Sequence, residues 1–169
     1  MSVLSDRTIR ALCAGVGVGL VKREQGAIAI QPCSVDVHFA GVRRRSGQVW
    51  APASGDWVLY PGDFILGFVQ ETFCMPDNVM GEVSGKSTLA REGLQVHAAG
   101  LVDPGFCGGL TLELKNLHHA DPLTLLVGEP IAQVKFSWLD EPVDKEYGHP
   151  DVGSHYQGQT GPTPSWRLA

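Results

Sequence analysis

Glycine and proline punctuate this chain from end to end, and no other feature restricts its fold as much. The 21 Gly and 11 Pro among 169 residues interrupt long helical runs and favour short strands joined by turns. Hydrophobic residues make up 43% of the chain, enough for one well-cored domain at a length that suits one domain better than two. The class that follows is soluble and mainly β. Val35, Val37 and Phe39 alternate with Asp36 and His38; Leu110, Leu112 and Leu114 with Thr111, Glu113 and Lys115; and Ala132, Val134, Phe136 and Trp138 with Gln133, Lys135 and Ser137. Each run predicts a strand with one apolar face. Trp57 to Tyr60, the turn Pro61-Gly62-Asp63, and Phe64 to Val69 predict a strand-turn-strand unit.

Two short helices are expected. Ser5 caps the first, with Ile9 and Leu12 on one face and Gly15 and Gly17 ending it; Ser87 caps the second, which stops at Gly93. Beyond Leu139 the apolar pattern fades. The expected organisation is a β domain over residues 1–140 and an arm over 141–169 that gains order by lying on another surface.

A formal charge of -5 and the lack of a long basic stripe argue against a nucleic-acid polymer as partner. The run Arg43-Arg44-Arg45 before Ser46-Gly47 predicts a solvated turn. Cys13, Cys33, Cys74 and Cys107 are widely spaced with no CxxC pair, which indicates neither a zinc site nor a disulfide framework and suits reduced thiols in the cytoplasm. His118-His119 and His149 lack metal-ligand spacing, and His97 is read as structural. With no run of 18 apolar residues and charges by the seventh position, neither export nor a membrane is indicated.

Chemistry concentrates between Gly85 and Asn116. Gly85-Lys86-Ser87-Thr88 invites a P-loop reading, but that motif requires glycine five residues before Gly85, where Met80 stands. A flexible loop with a lysine and two hydroxyls at a helix start still suits phosphate. Arg91, taken alone, reads as a surface cation, Asp103-Pro104-Gly105 as a common turn, and Glu113 as a solvent-facing strand carboxylate.

Taken together, SVDVHF, GKSTLAREGL, AGLVDPGF, LTLELKN and the tail HYQGQTGPTPS resemble the dCTP deaminase branch of the dUTPase superfamily nearly end to end. The resemblance implies a dUTPase-like distorted β-barrel or jelly-roll that forms homotrimers and binds nucleotide between neighbouring chains. It places Lys86, Ser87 and Thr88 on phosphates, Asp103 on the deoxyribose and Phe106 beside the sugar. Glu113 becomes the general base, Arg91 orients water and that carboxylate, and the backbone carbonyl near Ala99 holds the exocyclic amine or the water. In the tail, Tyr147 reaches phosphate and Gln159 the base, while His155 stands where the family carries lysine. The loop Val96 to Gly100 is one residue shorter than the family's H-x-T-A-G.

The HxE and PCxxC signature of zinc deaminases is missing from the chain, so the implied deamination uses no zinc, and Mg²⁺ serves only through the substrate phosphates. The implied activity is conversion of dCTP to dUTP and ammonia. The alternatives are a dUTP diphosphatase or bifunctional enzyme giving dUMP, with Asp103 helping to activate water, and a silent nucleotide-binding regulatory trimer.

Overall fold

The computed structural model describes residues 2–15, 19–43, 49–50, 55–96 and 99–168. β1 (Ser2–Val3) leads into α1 (Asp6–Cys13), followed by β2 (Val21–Arg23), β3 (Ile30–Gln31), β4 (Ser34–Arg43), β5 (Val49–Trp50), β6 (Asp56–Leu59), β7 (Phe64–Cys74) and β8 (Val79–Gly85). The second helix, α2 (Ser87–Arg91), precedes β9 (Leu94–Gln95), β10 (Leu101–Val102), β11 (Cys107–Asn116), β12 (Leu123–Leu126) and β13 (Pro130–Trp138). The fold is mainly β with two short helices, as the sequence predicts.

Strand pairing along the main path runs β10-β8-β13-β4-β7-β11-β9, every pair antiparallel. This sheet curls into a half-barrel. β6 and β12 form a separate two-stranded ribbon. The turn Pro61-Gly62-Asp63 is present, with the Asp63 N–H donating to the Tyr60 carbonyl at 3.0 Å. Its flanking strands pair with different partners, however: β6 with β12, and β7 with β4, β11 and β2.

The alternation holds well on β11. Leu110, Leu112 and Leu114 are buried, Thr111 and Glu113 half-buried, and Lys115 exposed. Val35, Val37, Phe39 and Phe136 are fully buried in the core, where Phe73 and Phe136 approach to 6.3 Å between ring centroids. Truncating such a phenylalanine to alanine costs about 3–5 kcal/mol. On β4 the predicted polar face is buried as well, Asp36 at 6% and His38 at 8% exposure. Partners from distant strands make this burial tolerable. Glu71 Oε1 lies 2.7 Å from His38 Nδ1, its Oε2 accepts the His38 N–H at 2.8 Å, and Arg23 Nε lies 3.4 Å from Oε1.

Two details of the helices differ from expectation. Ser5 occupies the cap of α1 without a side-chain bond to the backbone, and Lys86, not Ser87, is the cap residue of α2. Cysteine pairing is a larger correction. Cys74 and Cys107 stand opposite each other on β7 and β11, with Cα atoms 4.1 Å apart, and are joined as a disulfide. A sequence separation of 33 hides this pair from any search for short Cys spacing. Gly17, His97, Ala98 and the run Arg44 to Gly47 lie outside the described residues.

Candidate active site

Because the sheet is curled, strands far apart in its order face each other across a cleft. Leu101 and Val102 of β10, with Val83 of β8, form one side; Phe64 to Leu66 of β7 and Leu110 to Glu113 of β11 form the other. Between them lies a cavity of about 1140 Å³. A register shift between Gly109 and Thr111 marks a β-bulge beside it, the kind of irregularity that re-aims side chains at a site. Thr111 and Glu113, two residues apart, share the face of β11 that is not packed in the core.

The cavity brings together Ala99, Asp103, Phe106, Glu113, Tyr147 and Gln159. His155 lies next door, in a smaller cavity of about 350 Å³ that shares Asp103 and Tyr147 with the first. The His155 ring stacks on Trp166 at 4.5 Å.

The arm closes this site by adding to the free edge of β11. The Gly158 N–H donates to the Cys107 carbonyl at 2.7 Å, and the Gly109 N–H donates to the Gln159 carbonyl at 2.8 Å. The Gln157 amide clamps the same stretch, accepting from the Cys107 N–H and donating to the Gly105 carbonyl, each at 2.9 Å. Tyr147 accepts the Tyr156 N–H on its hydroxyl at 3.0 Å, and its ring packs edge-to-face with Phe106, centroids 5.6 Å apart. The approach is close enough to require glycine beneath it. A Cβ on Gly108, at φ 154°, would stand 3.0 Å from the Gln159 nitrogen, and one on Gly105, at φ 82°, would collide with Glu146.

The α2 corner is arranged differently. Lys86 places Nζ 2.8 Å from Asp36 Oδ1, while Asp36 Oδ2 accepts from Gln31 Nε2 at 2.9 Å. Ser87, Thr88 and Arg91 are exposed. None of the four lines the cavity of its own chain. Among the described residues, no three His, Cys, Asp or Glu side chains form a metal-binding cluster, and no helix is long and apolar enough to cross a membrane.

The family model for dCTP deaminase-like domains matches residues 3–139. The chain belongs to the dCTP deaminase-like family. It is 40% identical to a "dCTP deaminase, dUMP-forming" of Mycobacterium marinum (strain ATCC BAA-535 / M), over 96% of this chain and 94% of that protein. A protein of the same name from Mycolicibacterium smegmatis is 39% identical over 96% and 95%. Among solved structures, the 2'-deoxycytidine 5'-triphosphate deaminase of Agrobacterium tumefaciens superposes with a TM-score of 0.68 at 21% identity, covering 79% of this chain. This chain spans only 47% of that longer one. A dUTPase mutant of Staphylococcus bacteriophage 80alpha gives a TM-score of 0.55 at 16% identity, covering 74% of this chain and 87% of that one. Both likenesses are to the fold, which is dUTPase-like.

Within this family member, several residues escape a reading by motif. Arg43, expected in a solvated turn, is the last residue of β4 and lines the cavity. Strand register explains it: Arg43 pairs with Leu66, and Leu66 with Glu113, so all three stand in one row across the wall. Thr111 and Gln157, which hold the arm, lie within LTLELKN and HYQGQTGPTPS, but the resemblance assigns neither a role. Gly105 reads from the sequence as a turn residue and Gly108 carries no signal; that both lie beneath the arm depends on the fold.

Proposed function

We propose that this chain deaminates dCTP and carries the product on to dUMP. One observation supports the reading most: Asp103, Phe106, Glu113, Tyr147 and Gln159 gather in a single cavity of a chain 40% identical, over 96% of its length, to a protein named for that reaction. The sequence alone put dUTP first as the end product. The relatives' name favours its alternative, dUMP.

In this reading Glu113 takes a proton from water as the oxygen bonds to C4 of cytosine and passes it to N3; it then takes the proton of the new C4 hydroxyl and passes it to the amine, and the C4–N bond breaks as the carbonyl forms and ammonia leaves. The carbonyl of Ala99 holds the water or the amine. Asp103 and Phe106 hold the sugar, and Tyr147 and His155 meet the phosphates. In the second step, water activated with the help of Asp103 attacks the α-phosphate and pyrophosphate leaves. In this reading zinc takes no part, because the chain lacks the HxE and PCxxC signature of zinc deaminases, and magnesium arrives with the triphosphate.

Lys86, Ser87, Thr88 and Arg91 belong to the same reaction but serve a neighbouring copy. They lie outside their own chain's cavity, and a cyclic trimer would turn them toward the next. The enzyme's place is the cytoplasmic nucleotide pool.

The test is incubation of the protein with dCTP, dCMP, CTP and dUTP in the presence of a zinc chelator, with products resolved by chromatography. Ammonia, dUMP and pyrophosphate from dCTP are the expected result. Ammonia with dUTP alone would remove the second step, and no ammonia from any cytosine nucleotide would remove the whole reading.

A further inference from the structure

The hydrogen bonds around Gln159 specify more than the docking of the arm. The Thr111 hydroxyl donates to Gln159 Oε1 at 3.2 Å, Gln159 Nε2 donates to the Gly109 carbonyl at 2.7 Å, and the Thr163 N–H donates to Thr111 Oγ1 at 3.1 Å. A flipped amide would set the Gln159 oxygen against the Gly109 carbonyl oxygen and turn its NH₂ toward the hydroxyl proton of Thr111. Only one orientation satisfies all three groups. In that orientation one N–H and one lone pair of Gln159 remain, both held at fixed positions in the cavity wall.

We propose that Thr111 is a positioning residue for base selection: by locking the Gln159 amide, it makes the arm distinguish a cytosine nucleotide from a uracil nucleotide. The proposal rests on the assignment of this cavity to deoxycytidine nucleotide. Cytosine presents an amine donor at C4 beside an acceptor at N3, whereas uracil presents an acceptor at C4 beside an N–H donor at N3. The two patterns are reversed. A locked amide matches one of them, while an amide free to rotate accommodates both; the Gly109 carbonyl and the Thr111 hydroxyl hold it together, and the hydroxyl is the half of the lock that a side-chain substitution removes. Thr111 stands on the same face of β11 as Glu113, two residues away, so the lock lies beside the carboxylate.

The experiment compares the wild type with Thr111→Val and Thr111→Ser, measuring kcat and KM for dCTP, the inhibition constant of dUTP, and the melting temperature. Thr111→Val should lower the preference for dCTP over dUTP by about 10-fold while kcat changes by less than about 3-fold, and Thr111→Ser should restore the preference to within about 2-fold of the wild type. Thr111→Ala replaces the valine variant if valine does not pack. Repeating the substitution on a Gln159→Met background should produce no further loss of preference, because the amide it orients is gone. An unchanged preference in Thr111→Val, an equal loss in Thr111→Ser, or full additivity with Gln159→Met would overturn the proposal. Failure of the wild type to deaminate dCTP would instead strike the proposed function, so the two failures are distinguishable.

Discussion

The wall of β11 with its arm and the corner at α2 carry the two halves of the family's signature, and they face different ways. On the wall, Asp103, Phe106, Glu113, Tyr147 and Gln159 converge on one cavity of a single chain. At the corner, Lys86 is paired with Asp36 of its own β4, and Ser87, Thr88 and Arg91 point to solvent. A motif continuous in sequence is therefore split in space. In the proposed trimer the corner is not a failed phosphate site but the half of a site that each copy presents to its neighbour.

Substitution of Glu113 breaks the comparison hardest. Glu113→Gln should keep fold and nucleotide binding while ammonia release falls by roughly 10²-fold or more, since the amide cannot shuttle a proton. Rate and equilibrium binding measured on the same preparation would check it. Near-normal turnover would take the wall's central residue out of the chemistry.

Blocking the arm should have a smaller effect, on binding first. Gly108→Val places a branched side chain where Gln159 nitrogen and oxygen approach to 3.0 and 3.1 Å, at a φ that valine avoids. KM for dCTP should rise by roughly 10-fold or more, and proteolysis beyond residue 141 should accelerate. An arm as protected as in the wild type would show that it does not need this approach.

The smallest effect comes from Glu129, which lines neither cavity, a baseline for purely structural changes. Burial raises the Glu129 carboxyl above its usual range, against the Leu126 N–H that donates to it at 2.6 Å, with Glu92 and Asp56 adding to the rise. A raised carboxyl gives stability that is present in acid and lost as pH rises through the folded-state value. Glu129→Gln should therefore melt slightly higher than the wild type at pH 7 and no higher at pH 4, with dCTP kinetics unchanged. A reversed pH dependence in calorimetry would contradict this.

How much of this was legible in the sequence depended on whether neighbours along the chain or across strands decide the outcome. Alternation placed Leu110, Leu112 and Leu114 inward and Glu113 on the opposite face because a strand's own period settles that. The partner of Lys86 is 50 positions away on β4, and that of Cys107 is 33 away on β7, so neither pairing leaves a local trace. Arg43 reads as loop in a basic run and becomes cavity wall only through register with Leu66 and Glu113. The arm was foreseen as needing a surface, but that this surface is its own chain's β11, made approachable by Gly105 and Gly108, depended on backbone placement.

The central claim is that catalysis joins the wall of one copy to the corner of the next, and complementation tests it most directly. Glu113→Gln and Arg91→Ala, each nearly inactive alone, are unfolded together, refolded as a mixture and assayed for ammonia release from dCTP. In a random cyclic trimer about a quarter of the sites pair an intact Glu113 with a neighbour's intact Arg91, so the mixture should recover roughly a quarter of wild-type activity per site. A mixture no more active than its two components would place both residues in one chain's site and contradict the account.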